Sequence, residues 1–368
     1  MAYRVIQCYT GQVGTRVLRN LIKDPAFEVV GTLVSSEAKR GRDVGELAGL
    51  EPIGVFATTD FEEILNLDAD CVIWNGIVSS YPEAPVADSE PGAAGPDAIE
   101  RLLRSGKNVY CGVGAWFLDG QPEQARMDAA CREGNVSIVG AGNMPGLVSD
   151  ALPLFLSGYS GQVDSVWCKE TDHETEHPSA HELELYVGFG LPVGQTTPAE
   201  ELINRLYEWA YRQSANQVAS AMGVTLNDFR LVAKECAPAA EDIKLDNGLL
   251  IREGTAAGVR FTFSGFVGEH PWYTLVCEFT CAYGLGPDWR QTIDDPQFTA
   301  VIEGTPSIRG TVTSLAGGHD VAGVLDMNAA RAVNLVPLVI AAETGCRNIL
   351  ELPFVTSTSA YNRGATHE

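Results

Sequence analysis

A doubly wound α/β domain followed by an α+β domain with a mostly antiparallel sheet is the fold class this sequence predicts, and three observations predict it. Residues 3–34 read as strand, helix and strand in one βαβ unit of about thirty residues. Two glycines, Gly11 and Gly14, occupy the turn between that first strand and its helix. Beyond Pro145-Gly146 the chain changes from short buried runs to long stretches in which apolar and polar residues alternate.

The elements follow in order. Residues 3–8 (YRVIQC) form a short apolar strand, YTGQVG turns, and TRVLRNLIK continues as an amphipathic helix. Asp24-Pro25 ends the helix, because the proline ring pushes the residue before it out of helical angles. Strands are predicted at 27–34, 70–74, 108–111 and 136–140, and helices at 97–105 and 121–133. A Pro/Gly/Ala/Glu-rich stretch before residue 97 reads as a long surface loop. After a helical signal at 147–157, period-2 alternation runs through 163–170, 183–190, 259–268, 273–284, 298–304 and 307–315. That period marks a sheet with one solvated or helix-covered face. A helix-rich insertion is expected over 198–238, and a last apolar helix, 327–344, is expected to return to the first domain. The boundaries are therefore 1–147 together with 325–368 for the first domain, and 148–324 for a second, substrate-binding and dimerisation domain.

With 368 residues, 45% of them apolar, the chain has material for two cores. A formal charge of -23 repels nucleic acid and anionic membranes, so neither is an expected partner. The start, MAYRVIQCYTG, lacks the pattern of a signal peptide, and apolar runs such as 333–342 fall short of a bilayer span. The nine cysteines are scattered and odd in number, which suits free thiols in a cytoplasmic enzyme.

Gly11 and Gly14 match two of the three glycines of the dinucleotide fingerprint G-x-G-x-x-G, with Tyr9 where the first would stand. A strand, this turn and a helix make the entry to a Rossmann domain. Thr10, Gly11, Gln12, Val13 and Gly14 are placed for a pyrophosphate, since the first helical turn aims backbone N–H groups at it. NAD sites carry an acid at the end of the second strand. Here that strand ends in Ser35 and Ser36, with Lys39 and Arg40 nearby, which suits a 2′-phosphate; NADP is the preferred cofactor and NAD the alternative. Parallel sheets bind ligands at the carboxyl ends of their strands. Asn75, Gly76, Cys111, Gly112 and Asn143 sit at such ends and are further cofactor candidates, with Trp116 and Met144 as pocket walls.

His173-Glu174-Thr175-Glu176-His177 spells H-E-x-x-H, a zinc signature when it lies on one helix face. The segment has no apolar helical face and Pro178 follows it, so no metal is expected. Hydride transfer asks the protein for orientation and a proton relay. Glu170, His173, His177 and His181 are the candidates for that relay.

Taken in order, YTGQVG (9–14), GRDVGELAG (41–49), GKNVYCG (106–112), GNMPG (142–146), GFGLPVG (188–194) and ARAVNLVPLV (330–339) resemble the dihydrodipicolinate-reductase-like oxidoreductases. The resemblance is to their 2,4-diaminopentanoate dehydrogenase and native amine dehydrogenase branch. It implies NAD(P)H-dependent reduction of C=N bonds or reductive amination of ketones, and a homodimer. It also implies a glutamate just after the strand at 108–111. Here CGVGAW (111–116) puts Gly114 or Ala115 there, and the family's Asn-Pro-Gly turn reads Met144-Pro145-Gly146. The expected protein is an oxidoreductase moving hydride between nicotinamide and a small ketone or imine, or the corresponding alcohol or amine. The alternative is a catalytically inactive nucleotide-binding or sensor protein of the same fold.

Overall fold

The computed structural model describes residues 2–76, 95–112, 124–177, 179–315 and 320–358. Trp116, Gly114, Ala115 and most of the predicted loop before residue 97 lie outside them. The chain divides into two compact units, residues 1–142 with 325–368, and residues 143–324.

The first unit alternates strands and helices. In order these are β1 (Tyr3–Cys8), α1 (Gln12–Lys23), β2 (Phe27–Leu33), α2 (Val44–Leu47), β3 (Ala57–Thr58), α3 (Phe61–Asn66), β4 (Cys71–Trp74), α4 (Gly95–Arg104), β5 (Asn108–Cys111), α5 (Gln124–Gly134) and β6 (Ser137–Gly140). Helix α1 buries Gly14, Val17, Leu18 and Leu21 along one stripe and ends at Asp24. The elements α2, β3 and α3 have no counterpart in the sequence reading. They are too short to carry a period, and side-chain caps define two of them. Asp43 accepts from the Gly45 amide at the start of α2, and Asp60 from the Glu62 amide at the start of α3.

The second unit opens with a wide helical turn at Leu147–Ala151 and α6 (Leu152–Ser157), then β7 (Gln162–His173), α7 (Ala180–Glu182) and α8 (Pro198–Ala221). It continues through β8 (Asp228–Pro238), β9 (Ile243–Lys244), β10 (Leu250–Ile251), β11 (Ala256–Val267), β12 (His270–Thr280), β13 (Phe298–Thr305) and β14 (Ile308–Val312). Six strands form a sheet in the order β14-β13-β7-β12-β11-β8, antiparallel except for the parallel β7–β12 pair. Two expectations are corrected here. Residues 228–238 are strand and not part of a helical insertion, because their alternating pattern pairs along β11. Residues 183–187 are a helical turn and not strand. Its chain reversal closes with the Gly188 amide on the Leu183 carbonyl, and Gly188 takes the left-handed backbone that ends it.

The chain then enters α9 (Asp320–Ala341) and β15 (Gly345–Arg347). Strand β15 completes the first unit's seven-stranded parallel sheet, ordered β15-β6-β5-β4-β1-β2-β3. Read from the β3 edge, the six strands before β15 repeat the doubly wound order 3-2-1-4-5-6. The stretch Val321–Ala341 is long and apolar enough, by length and composition, to cross a membrane, contrary to the expectation that every apolar run is too short. The 333–342 run lengthens through the small and apolar residues before it. In the first unit this helix buries Ala329, Ala332, Val336 and Val339 in the same cluster as Val5, Val17, Leu18 and Ile73. Its Val339 carbonyl accepts from Ser137 Oγ at 2.6 Å.

Candidate cofactor and acid-base sites

At the carboxyl ends of β1, β4 and β5 lies a cavity of about 210 Å³ lined by Gly11, Gln12, Val13, Gly14, Asn75, Tyr110, Gly112 and Asn328. Gly11 caps α1, and a Cβ built on it meets nothing within 4 Å, so its missing side chain leaves open space for a ligand. Gly14 works differently: a Cβ there would be driven into the Tyr9 carbonyl, so its role is to let α1 pack on the loop. Tyr9 takes the left-handed backbone, φ 70°, that the fingerprint's first glycine would adopt without strain. Its ring stands edge-on to Trp74 at 5.1 Å. The cavity thus has glycine-made space, helix N-terminal amides and polar walls, and these residues fit a dinucleotide.

Lys39 reaches back from the turn after β2. Its Nζ donates to the Thr10 carbonyl at 2.8 Å and to Thr10 Oγ1 at 3.0 Å, which anchors a cation beside the glycine turn. Ser35, Ser36 and Arg40 are exposed on that same turn. Glu37, the nearest acid, accepts from Thr59 Oγ1 and pairs with Arg40 at 3.5 Å. Gly76 and Cys111 are buried at the ends of β4 and β5. Asn143 is buried in the second unit, where its Nδ2 donates to the Val324 carbonyl at 2.9 Å; Met144 beside it is half-buried. Asn328 and Tyr110 were not singled out in the sequence. Asn328 comes from a helix more than two hundred residues downstream, and no local pattern marks it.

In the second unit, residues 170 and 172 of β7 share a face by strand alternation. Glu170 is buried, opposite Cys277 of β12 and Phe298 of β13. Burial, reinforced by Asp172 and Glu174, raises its carboxyl well above the ordinary range. Glu174, in the short turn after β7, is buried with Oε2 lacking a hydrogen-bond partner. Burial first, then Asp172 and Glu182, pushes it up to about 8. Tyr207 and Tyr211 of α8 stack at 5.3 Å. Burial and then Cys277 raise both phenols, with Glu170 adding to each. Asp172, Glu174 and the two tyrosines were missed as a group in the sequence, because only the packing of α8 on the sheet assembles them.

The histidines separate. His173 ends β7, with Nδ1 3.3 Å from Thr280 Oγ1 and its ring stacked on Tyr283 at 4.1 Å. His177 Nδ1 accepts from the Ser179 amide, and its Nε2 lies 3.5 Å from Glu182. His181 is exposed on α7. The H-E-x-x-H letters span a strand end, a tight turn and the residue beyond it, so no helix brings the two histidines onto one face. Among the described residues no group of three or more His, Cys, Asp or Glu is arranged to hold a metal ion.

The N-terminal family of dihydrodipicolinate reductase matches residues 5–74, from β1 to the end of β4. An amine dehydrogenase of Streptomyces virginiae is 28% identical, over 94% of this chain and 94% of its own length. A 2,4-diaminopentanoate dehydrogenase of Acetoanaerobium sticklandii is 24% identical over 70% of this chain and 69% of its own. The chain is homologous to the amine dehydrogenases. The crystal structure of the amine dehydrogenase from Mycobacterium smegmatis shares the fold, with a TM-score of 0.71 at 17% identity across 97% of each chain. The chain is accordingly an NAD(P)-dependent dehydrogenase that transfers hydride at a small substrate. In this dehydrogenase the polar walls of the first unit's cavity and the buried acids of the second unit are the two sets of groups with chemistry to offer.

Proposed function

We propose that the protein interconverts a small ketone or imine and the corresponding amine, with NADP preferred over NAD. The observation that carries this reading is the cavity at the ends of β1, β4 and β5, together with the Lys39 ammonium held at its entrance turn. Thr10 to Gly14, Asn75, Gly76, Cys111 and Gly112 would hold the dinucleotide, and Ser35, Ser36, Lys39 and Arg40 its 2′-phosphate. When bound, the nicotinamide supplies or accepts the hydride. Glu170 is the proton-handling group in our reading. Burial, with Asp172 and Glu174 beside it, raises its carboxyl well above the ordinary range, which favours the protonated form that a general acid uses. Glu174, at about 8, is the second such group. The histidines rank behind them, since His173 and His177 are engaged with neighbours and His181 faces solvent. Met144 and Trp116 remain our candidates for the substrate wall.

The reading extends to a cytoplasmic homodimer joined through the second unit's sheet, with no nucleic-acid or membrane partner. All nine cysteines are free thiols, and the charge of -23 opposes polyanions. The decisive experiment supplies NADPH carrying deuterium at C4, a panel of small ketones and ammonia. Deuterium in the amine product is the expected result. Glu170→Gln should then lower kcat by about a hundredfold or more while dinucleotide affinity holds. Full turnover in that variant removes Glu170 from the mechanism, and a preference for NADH removes the 2′-phosphate assignment.

A further inference from the structure

Gln7 lies in β1, fully buried, and does not line the cavity. Its Nε2 is 2.7 Å from the Cys8 carbonyl, 2.9 Å from the Tyr9 carbonyl and 3.0 Å from Asn75 Oδ1. Two of these neighbours are main-chain carbonyls, which only accept. The amide must therefore turn its nitrogen toward them, and its orientation is dictated by the backbone. The same nitrogen faces Asn75, so Asn75 must answer with its oxygen. The Asn75 nitrogen is then turned the other way, toward Gly112. A Cβ on Gly112 would lie 2.6 Å from that nitrogen, and both residues line the cavity. The Gly112 amide, donating to the Trp74 carbonyl at 3.0 Å, fixes that wall.

We infer that Gln7 is a positioning residue: it sets the Asn75 amide so that Nδ2 donates to an acceptor oxygen on the nicotinamide half of the bound dinucleotide. This rests on reading the cavity as the dinucleotide site. The half is assigned from strand order. Asn75 and Gly112 follow β4 and β5, on the side of β1 away from β2, and the β2 end with Ser35, Ser36 and Lys39 is the adenosine side. The Gln7 nitrogen also holds the Tyr9 carbonyl against which Gly14 packs.

Calorimetric affinities for NADP and NAD, and for the fragments 2′,5′-ADP and ADP that lack the nicotinamide half, test this. Asn75→Asp keeps the acceptor that Gln7 needs and removes the donor. Gln7→Met keeps the length and removes the amide. Each variant should weaken the dinucleotide about tenfold and leave the fragments at wild-type affinity, the loss expected for one hydrogen bond. The double variant should bind no more weakly than Asn75→Asp alone, because the two residues act on one contact. Unchanged dinucleotide affinity in Asn75→Asp, equal losses for fragment and dinucleotide, or multiplying losses in the double variant would each overturn the inference. Should Gln7→Met fail to fold, the same substitution in a Tyr9→Gly background, where glycine takes the left-handed backbone without strain, gives the same comparison. Wild-type protein that binds neither dinucleotide would defeat the underlying cofactor reading, an outcome distinct from binding that the variants leave untouched.

Discussion

At the scale of single residues, the two glycines of the first turn separate space for a ligand from space for the fold. Gly11→Leu should leave the melting temperature near that of wild type, since nothing of the protein stands within 4 Å of its Cβ, yet abolish dinucleotide binding. A folded Gly11→Leu variant that binds normally would displace the dinucleotide from this turn. Gly14→Ala should cost about 1–3 kcal/mol of stability, because its methyl meets a backbone carbonyl that cannot move freely. The buried acids make a second residue-scale prediction. Glu174 is raised from the 4.5 of an ordinary glutamate to about 8, so between those values the folded state binds more protons than the unfolded state. Its contribution to stability is whole below about 4.5 and is lost as pH rises through about 8. Melting scans from pH 5 to 9 should show wild type falling with pH relative to Glu174→Gln. Parallel curves would mean that Glu174 titrates as an ordinary carboxyl. Of these residues, Gly11, Gly14 and Glu170 were legible in the sequence, through turn spacing and strand position. Glu174 was visible only as a letter in a metal motif, because its burial depends on what covers the turn.

At the scale of elements, capping decides where short helices form. Asp43 accepts from the amides of Gly45, Ile53 and Gly54 at 2.7, 3.0 and 2.7 Å, which holds α2 and the loop after it together. Asp43→Ala would strand those three donors, and we expect a loss of about 2 kcal/mol, read as a lower denaturation midpoint. A variant as stable as wild type would show that water replaces the carboxylate without cost. The turn after β2 makes the corresponding functional prediction. Lys39→Met should reduce the preference for NADP over NAD by about tenfold, since a charge-assisted contact is worth more than a neutral one. An unchanged cofactor ratio would send the 2′-phosphate elsewhere. The elements with strong local periods, β1, α1, β2 and α9, were legible. Residues 183–187 and 228–238 were not. The five residues 183–187 satisfy both periods, and 228–238 is settled as strand by its pairing along β11.

For the whole molecule, the first unit's parallel sheet places the candidate cofactor groups at one edge, the carboxyl ends of β1, β2, β4 and β5, with the exception of Asn143, which belongs to the second unit. Saturating dinucleotide should therefore slow amide exchange at residues 9–15, 75–76 and 110–112 more than anywhere in β11 or β12. Protection spread evenly over both units would contradict a site confined to those strand ends. By itself the sequence determined the two kinds of sheet, the strand–turn–helix that begins the first, and the reaction class, through motifs strung along most of the chain. These are local signals: a period of two, a glycine pair, a proline after a helix all act within a few residues of where they are read. Only the tertiary structure decided that Gln7 holds Asn75, that Asn328 joins the cavity wall, and that Glu170 and Glu174 share surroundings with Tyr207. Those groups are separated by tens to hundreds of residues, and what brings them together is strand order and helix packing, a property of the whole fold that no stretch of sequence carries alone.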